Sequence, residues 1–146
     1  MKKLAFLILP FLLLPSDSLA KSFGNYQGAV YFRNYDGDTI TFNLPGLHPI
    51  IGEKISIRVN GIDTPEIKGK CEKEKYDAQQ ARDMVTDILK DSEQITLMNM
   101  EKGKYFEVAA DVIVDGKNLA GMLLDRFPAG LDFFFMLVRH GSVYLQ

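Results

Sequence analysis

Two acidic stretches hold most of the residues able to do chemistry. Arg58-Val59-Asn60-Gly61-Ile62-Asp63-Thr64-Pro65-Glu66 packs a guanidinium, two carboxylates, a hydroxyl and a rigid proline into nine positions. Asp36-Gly37-Asp38-Thr39 adds two more carboxylates upstream. Carboxylate oxygens are the hard ligands that calcium takes. Asp38 and Asp63 stand 25 residues apart, too far for a local loop of the EF-hand kind. They can share a cation only if neighbouring strands bring them together, with a backbone carbonyl and waters completing the shell. A calcium ion held there would polarise a phosphate oxygen. Glu66 could then orient or deprotonate a water. Arg58 could clasp the phosphate with two parallel N–H bonds, a geometry lysine cannot supply. The chemistry expected is calcium-dependent phosphodiester hydrolysis.

Each stretch alone has a plainer explanation. Asp-Gly-Asp-Thr is common turn chemistry, because Asx side chains bond their own backbone. Asp63-Thr64-Pro65-Glu66 alone would suit the start of a turn or helix. Their joint occurrence, with Arg58 five residues ahead of Asp63, favours a site.

The elements that must position these residues are legible from periodicity. Residues 22–27 read as an extended lead-in. Residues 29–32 are a β-rich run, and Asn34-Tyr35-Asp36-Gly37-Asp38 is a turn. Residues 39–44 alternate polar with apolar, the period of a half-buried strand. Residues 54–60 alternate again, with Ile55, Ile57 and Val59 on one face and Ser56, Arg58 and Asn60 on the other. Gly61 then lets the chain bend. Residues 45–49 form a loop, where His48 reads as a surface residue and not a ligand. Residues 74–90 carry an amphipathic helical pattern. Residues 93–100 and 105–114 read as strands joined by a turn at 101–104, and Asp115-Gly116 is another turn. Asn118 can cap a short helix ending at Asp125. Five short strands with a helix between the third and fourth predict an α+β, mainly β fold: a five-stranded OB-type Greek-key barrel with two packed helices. No glycine-rich phosphate loop, Cys/His metal spacing or Ser-His-Asp set is present.

Length and composition set the bounds. The chain has 146 residues, 47% apolar and 25% charged, which suits one globular domain. Its net charge of −2 argues mildly against tight duplex binding, since phosphate affinity usually shows as a basic excess. It leaves room for an enzyme that grips one phosphate. Residues 1–20 have the charged start, apolar run and small residues of a secretory signal peptide, removed on export. The apolar run at 4–14 is well short of the roughly 20 residues of a spanning helix, and Pro10 and Pro15 interrupt it. Export implies a periplasmic or secreted protein with no lasting membrane association. Free calcium outside the cytoplasm can be high enough to fill weak carboxylate sites. Cys71 is the lone cysteine, so no disulfide can form within the chain. The expected organisation is residues 1–20 as signal peptide, 21–126 as the folded domain and 127–146 as an apolar tail.

Three segments then carry a resemblance. Asn34-Tyr35-Asp36-Gly37-Asp38-Thr39, Ile57-Arg58-Val59-Asn60-Gly61-Ile62-Asp63-Thr64-Pro65-Glu66 and Ala110-Asp111-Val112-Ile113-Val114-Asp115-Gly116-Lys117-Asn118-Leu119 resemble the staphylococcal nuclease (thermonuclease-like) family. The likeness runs from about residue 28 to residue 124. It implies an OB barrel with packed helices, and a nuclease cutting DNA or RNA. It also implies calcium on Asp38, Asp63 and the Thr64 carbonyl, with Asp36 just behind. Glu66 would be the general base, Arg58 the phosphate clamp, and Lys104 and Tyr105 contacts to a substrate phosphate. A monomer is expected.

Two departures from the family pattern bear on activity. Glu107 stands where the family has a second catalytic arginine, and a carboxylate there would repel the phosphate. After Arg126 the family's glycine-led segment and final helix are replaced by an apolar run, Phe133-Phe134-Phe135-Met136-Leu137-Val138. That run is expected to be either a replacement core element or the product of a frameshift or truncation, the second being favoured. The rivals to an exported nuclease are a catalytically impaired module that binds nucleic acid or a protein partner, and an interaction domain using the apolar tail.

Overall fold

The computed structural model describes residues 22–103 and 107–126. The expected signal peptide, Lys104, Tyr105 and the apolar tail at 127–146 lie outside the described residues.

The elements run β1 (Ser22–Gln27), β2 (Val30–Asn34), β3 (Thr39–Asn43), α1 (Pro49–Gly52), β4 (Ile55–Val59), α2 (Glu72–Lys90), β5 (Ile95–Lys102), β6 (Val108–Val114), β7 (Lys117–Asn118) and α3 (Leu119–Arg126). The fold is mixed α+β and mainly β. One seven-stranded sheet has the order β1-β5-β6-β4-β3-β2, with β7 added to β6. The expected five strands closed into a barrel are therefore corrected. Two more strands exist, and no ladder joins the end strands β1 and β2 to each other. They are instead consecutive in the chain, separated by Gly28 and Ala29, whose N–H groups both donate to the Ile95 carbonyl.

Alternation explains the core. β3 buries Ile40 and Phe42, β4 buries Ile57 and Val59, β5 buries Ile95 and Leu97, and β6 buries Ala110, Val112 and Val114. Helix α2 adds Val85 and Leu89, and α3 adds Leu119, Ala120 and Leu123. Fully burying each large side chain stabilises by about 1.5–3 kcal/mol. Helix α2 starts two residues before its apolar stripe predicts. Cys71 caps it, with Sγ accepting from the Glu74 N–H, and Glu72 and Glu74 suit the positive end of the helix dipole. Asn118 caps α3 as expected, its Oδ1 accepting from the Gly121 N–H. No described helix is long and apolar enough to cross a membrane.

One polar side chain ties the sheet to α2 beneath the acidic turn. The Asn34 amide donates from Nδ2 to the carbonyls of Asp36 and Arg82, each at 2.9 Å. Its Oδ1 accepts from the Tyr31 hydroxyl and, at 2.8 Å, from the Thr86 hydroxyl. Both donors and the acceptor of this amide are engaged. Asn34→Ala would strand partners on two elements. It should lower stability by about 2 kcal/mol, seen as an earlier urea midpoint at unchanged slope. A loss below about 0.5 kcal/mol would show that this hub is dispensable.

Candidate active site

The two acidic turns meet. Strand β4 lies between β3 and β6, with Arg58 opposite Thr39 on one side and Ala109 on the other. Ile57 and Val59 point into the core, so Arg58 projects from the outer face. Its Nη2 donates to Asp38 Oδ2 at 3.2 Å and to Asp63 Oδ1 at 2.8 Å. One nitrogen thus joins carboxylates from two separate turns.

Asp38 is the buried member. Its side chain is 3% exposed, against 47% for Asp63. Oδ2 also accepts the Thr64 N–H at 3.1 Å, and Oδ1 accepts the Thr39 hydroxyl at 3.0 Å. The Asp38 carbonyl accepts the Val59 N–H at 2.8 Å, which pins the turn to β4. Asp36 serves the turn itself, its Oδ1 accepting from the N–H groups of Asp38 and Thr39. Gly37 is the point of closest approach. A Cβ there would sit 2.7 Å from Thr64 Cγ2 and 2.9 Å from Ala81 Cβ, so only glycine lets both turns and α2 come together.

The second turn leaves β4 where expected. The Asn60 N–H donates to the Ala110 carbonyl, and Gly61 follows at φ +82°. That backbone conformation is open to glycine at little cost. Buried Ile62 then anchors the loop that presents Asp63, Thr64 and Glu66.

Glu66 is exposed, and no described residue engages its carboxylate; its carbonyl accepts the Gly69 N–H. Thr64 engages Asp38 through its N–H, and its hydroxyl is buried without a partner among the described residues. Glu107 immediately precedes β6. Its carbonyl accepts the Gly103 N–H, and its side chain lies over Gly103, where a Cβ would come within 2.8 Å of Glu107 Cγ. Alternation from Ala109 puts Glu107 on the Arg58 face. His48 is exposed and caps α1, its Nδ1 accepting the Ile50 N–H. Asn34 and Gly37 lie in the first motif, but no sequence signal joins them to Arg82, Thr86 and Ala81 of α2.

Burial dominates the electrostatics of Asp38. Loss of solvent raises its carboxyl from 3.8 to about 7, and the nearby Asp36 charge adds to the rise. Arg58 and the Thr64 N–H pull the other way without overcoming burial. Near neutrality the Asp38 carboxyl is therefore poised between its two forms.

The donor set is a pair of carboxylates bridged by Arg58, oxygen ligands of the kind a hard divalent cation would take on displacing that guanidinium. Asp38 and Asp63 offer oxygen ligands close to one shared positive group, and the Thr64 hydroxyl is unsatisfied beside them. Among the described residues no group of three or more His, Cys, Asp or Glu is placed to hold a metal. The protein would thus supply two carboxylates, with water or phosphate oxygens as the rest of the shell. No protein-family model matches the chain, and no curated protein matches it. The likeness to staphylococcal nucleases rests on the three motifs themselves.

Three outcomes are expected. Below pH about 7 a cation must displace the Asp38 proton. Calcium affinity by titration calorimetry should rise up to tenfold per pH unit toward pH 7 and level off above it. Asp38→Asn should remove most of the affinity and this pH dependence; affinity flat from pH 5.5 to 8 would contradict the raised carboxyl. The same shift acts on folding without calcium. The folded state holds the extra proton between pH 3.8 and about 7, so stability falls as pH rises through that window. Asp38→Asn should flatten the fall. Separately, Gly37→Ala should destabilise by about 1–3 kcal/mol through overpacking, measured by denaturant titration. An unchanged midpoint would mean that α2 and the Thr64 loop move apart freely.

Proposed function

We propose that this chain is an exported phosphodiesterase of the staphylococcal nuclease type, cleaving DNA or RNA with calcium as cofactor. The observation carrying this is the convergence of Asp38 and Asp63 on the Arg58 guanidinium, from turns 25 residues apart. Asp38 and Asp63 would hold the cation, which when bound would polarise a phosphate oxygen. Both ion pairs of Arg58 use Nη2, and its side chain is 43% exposed. Its other N–H donors are thus open to a phosphate oxygen. Glu66 is three residues beyond Asp63, exposed and without a partner among the described residues. Such a carboxylate suits the acceptance of a proton from an attacking water. The proton would move from water to Glu66, while the leaving sugar oxygen departs on the opposite side of phosphorus.

An OB-type Greek-key arrangement belongs to the same proposal. Its support is that the sheet's two end strands form one nearly continuous stretch, hinged at Gly28 and Ala29 against Ile95 of β5.

Glu107 favours a second reading, a catalytically impaired module that still binds nucleic acid. It stands on the Arg58 face where the resemblance expects arginine. Losing one preorganised donor costs about 3–4 kcal/mol of transition-state stabilisation, and a reversed charge should cost more. The deciding experiment is a cleavage assay on the exported domain with calcium and with chelator, for the native chain and Glu107→Arg. The native chain should be weak or silent. The arginine variant should gain calcium-dependent cleavage of about a hundredfold or more. If both variants are folded and neither cleaves, the hydrolase assignment fails. If the native chain cleaves well and Glu107→Arg adds nothing, the role given to Glu107 is wrong.

A further inference from the structure

The outer face of β2, β3 and β4 continues away from Arg58, and it bears no carboxylate. Its outward positions are Val30, Arg33, Thr39, Thr41, Asn43, Ser56 and Arg58. Pairing puts Thr39 opposite Arg58, Thr41 opposite Ser56, and Arg33 opposite Thr41. The chain as a whole is acidic, yet this face is cationic.

Phe32 stands at the far end of it. The β2–β3 register slips between Tyr31 and Arg33, so Phe32 is the extra residue of a bulge without a partner on β3. Its side chain is left in solvent, with the residue 45% exposed. Two cations attend the ring. Lys54 Nζ lies 5.3 Å from the ring centroid, and the Arg33 guanidinium carbon lies 5.9 Å from it. Neither cation is ion-paired with a described residue. Lys54 directly precedes β4, at φ +52°, and its backbone is at most about 13 Å from that of Arg58 at the rise of a strand.

We infer that Phe32, Arg33 and Lys54 form a binding subsite for single-stranded nucleic acid, with one base stacked on the Phe32 ring and flanking phosphates held by the two cations. An exposed aromatic with unpaired cations beside it is the chemistry by which strands are held without sequence preference. Stacking a base is worth more than an exposed ammonium–ring contact, so the strand can replace that contact and gain a phosphate pair. A duplex hides its base faces and would gain only the phosphate contacts. The subsite rests on the proposed function in that the strand would run from it to Arg58. Its direction follows from charge. Glu107 repels the backbone on the β6 side of β4, whereas the β3 and β2 side attracts it.

The chain contains no tryptophan, so Phe32→Trp introduces a single reporter. The probes are oligodeoxythymidylate, the same length of abasic strand, and a duplex, all with chelator present so that nothing is cut. Oligodeoxythymidylate should quench the emission of the introduced indole, and neither the abasic strand nor the duplex should. By fluorescence anisotropy of labelled oligonucleotide, Phe32→Ala should weaken oligodeoxythymidylate binding about tenfold and leave abasic binding unchanged. Lys54→Met should weaken both strands. Unquenched emission in folded Phe32→Trp, or equal loss for the normal and abasic strands in Phe32→Ala, overturns the subsite. Calcium-dependent cleavage by the native chain with no Phe32 effect would sink the subsite and leave the hydrolase standing. Quenching without cleavage by either the native chain or Glu107→Arg would do the reverse.

Discussion

A carboxylate withdrawn from water must find a cation, a set of donors or a proton, and Asp38 is caught between all three. Its side chain is 3% exposed and sits near a second acid, Asp36. The Arg58 guanidinium, the Thr64 N–H and the Thr39 hydroxyl each return part of what burial takes away. They return less than the full amount, since the carboxyl still rises to about 7. A buried ion pair often fails to stabilise, because desolvation rivals the Coulomb gain. Under the proposed function, a half-satisfied carboxylate beside an exposed one would gain from a further positive charge, which a dication would supply.

The scaffold makes that arrangement hard to escape. Arg58 is held on both sides by ladders, to β3 and to β6. Asp38 cannot retreat, because its carbonyl is fixed to Val59 and Gly37 is wedged between Thr64 and Ala81. Asn34 holds that turn to α2 from beneath. Exposure is low at this fixed point, Asp38, and much higher at Arg58, Asp63 and Glu66 around it. A cation ligand benefits from rigidity, while a group that must meet water and substrate benefits from access. The two turns supply the two ends of that contrast.

Much of this is legible in the sequence, and the rest has identifiable reasons. Alternation announces β3, β4, β5 and β6, the 3.6-residue pattern announces α2, and Asn118 announces α3. Strand β1 is legible only as an extended lead-in, because its residues are mostly exposed and it joins the sheet through backbone pairing with β5, with Tyr26 packed against the core. Strand β7 is two residues long, too short for any period. The parallel contact between β4 and β6 is remote in sequence, yet it helps to fix Arg58. The motif residues are readable as types at a spacing. What spacing does not carry is that Arg58 would bind both carboxylates through one nitrogen, or that Thr64 would present its N–H to Asp38. Those details are products of packing.

Composition misleads in the same way when read as a sum. A net charge of −2 describes the whole chain, whereas a phosphate meets only the charges within about a Debye length, about 8–10 Å at moderate salt. Several acids of α2 pair with their own helical neighbours, as in Lys73–Asp77 and Lys75–Glu72, or with the adjoining Arg82. They are partly neutralised where they stand. The outward positions of β2, β3 and β4 carry arginine, threonine, asparagine, serine and valine and no acid. An acidic protein can therefore present a cationic strip beside a pair of acidic turns. Under the proposed function that juxtaposition would serve phosphodiester chemistry: negative charge to hold a metal, and positive charge next to it to hold the backbone being cut.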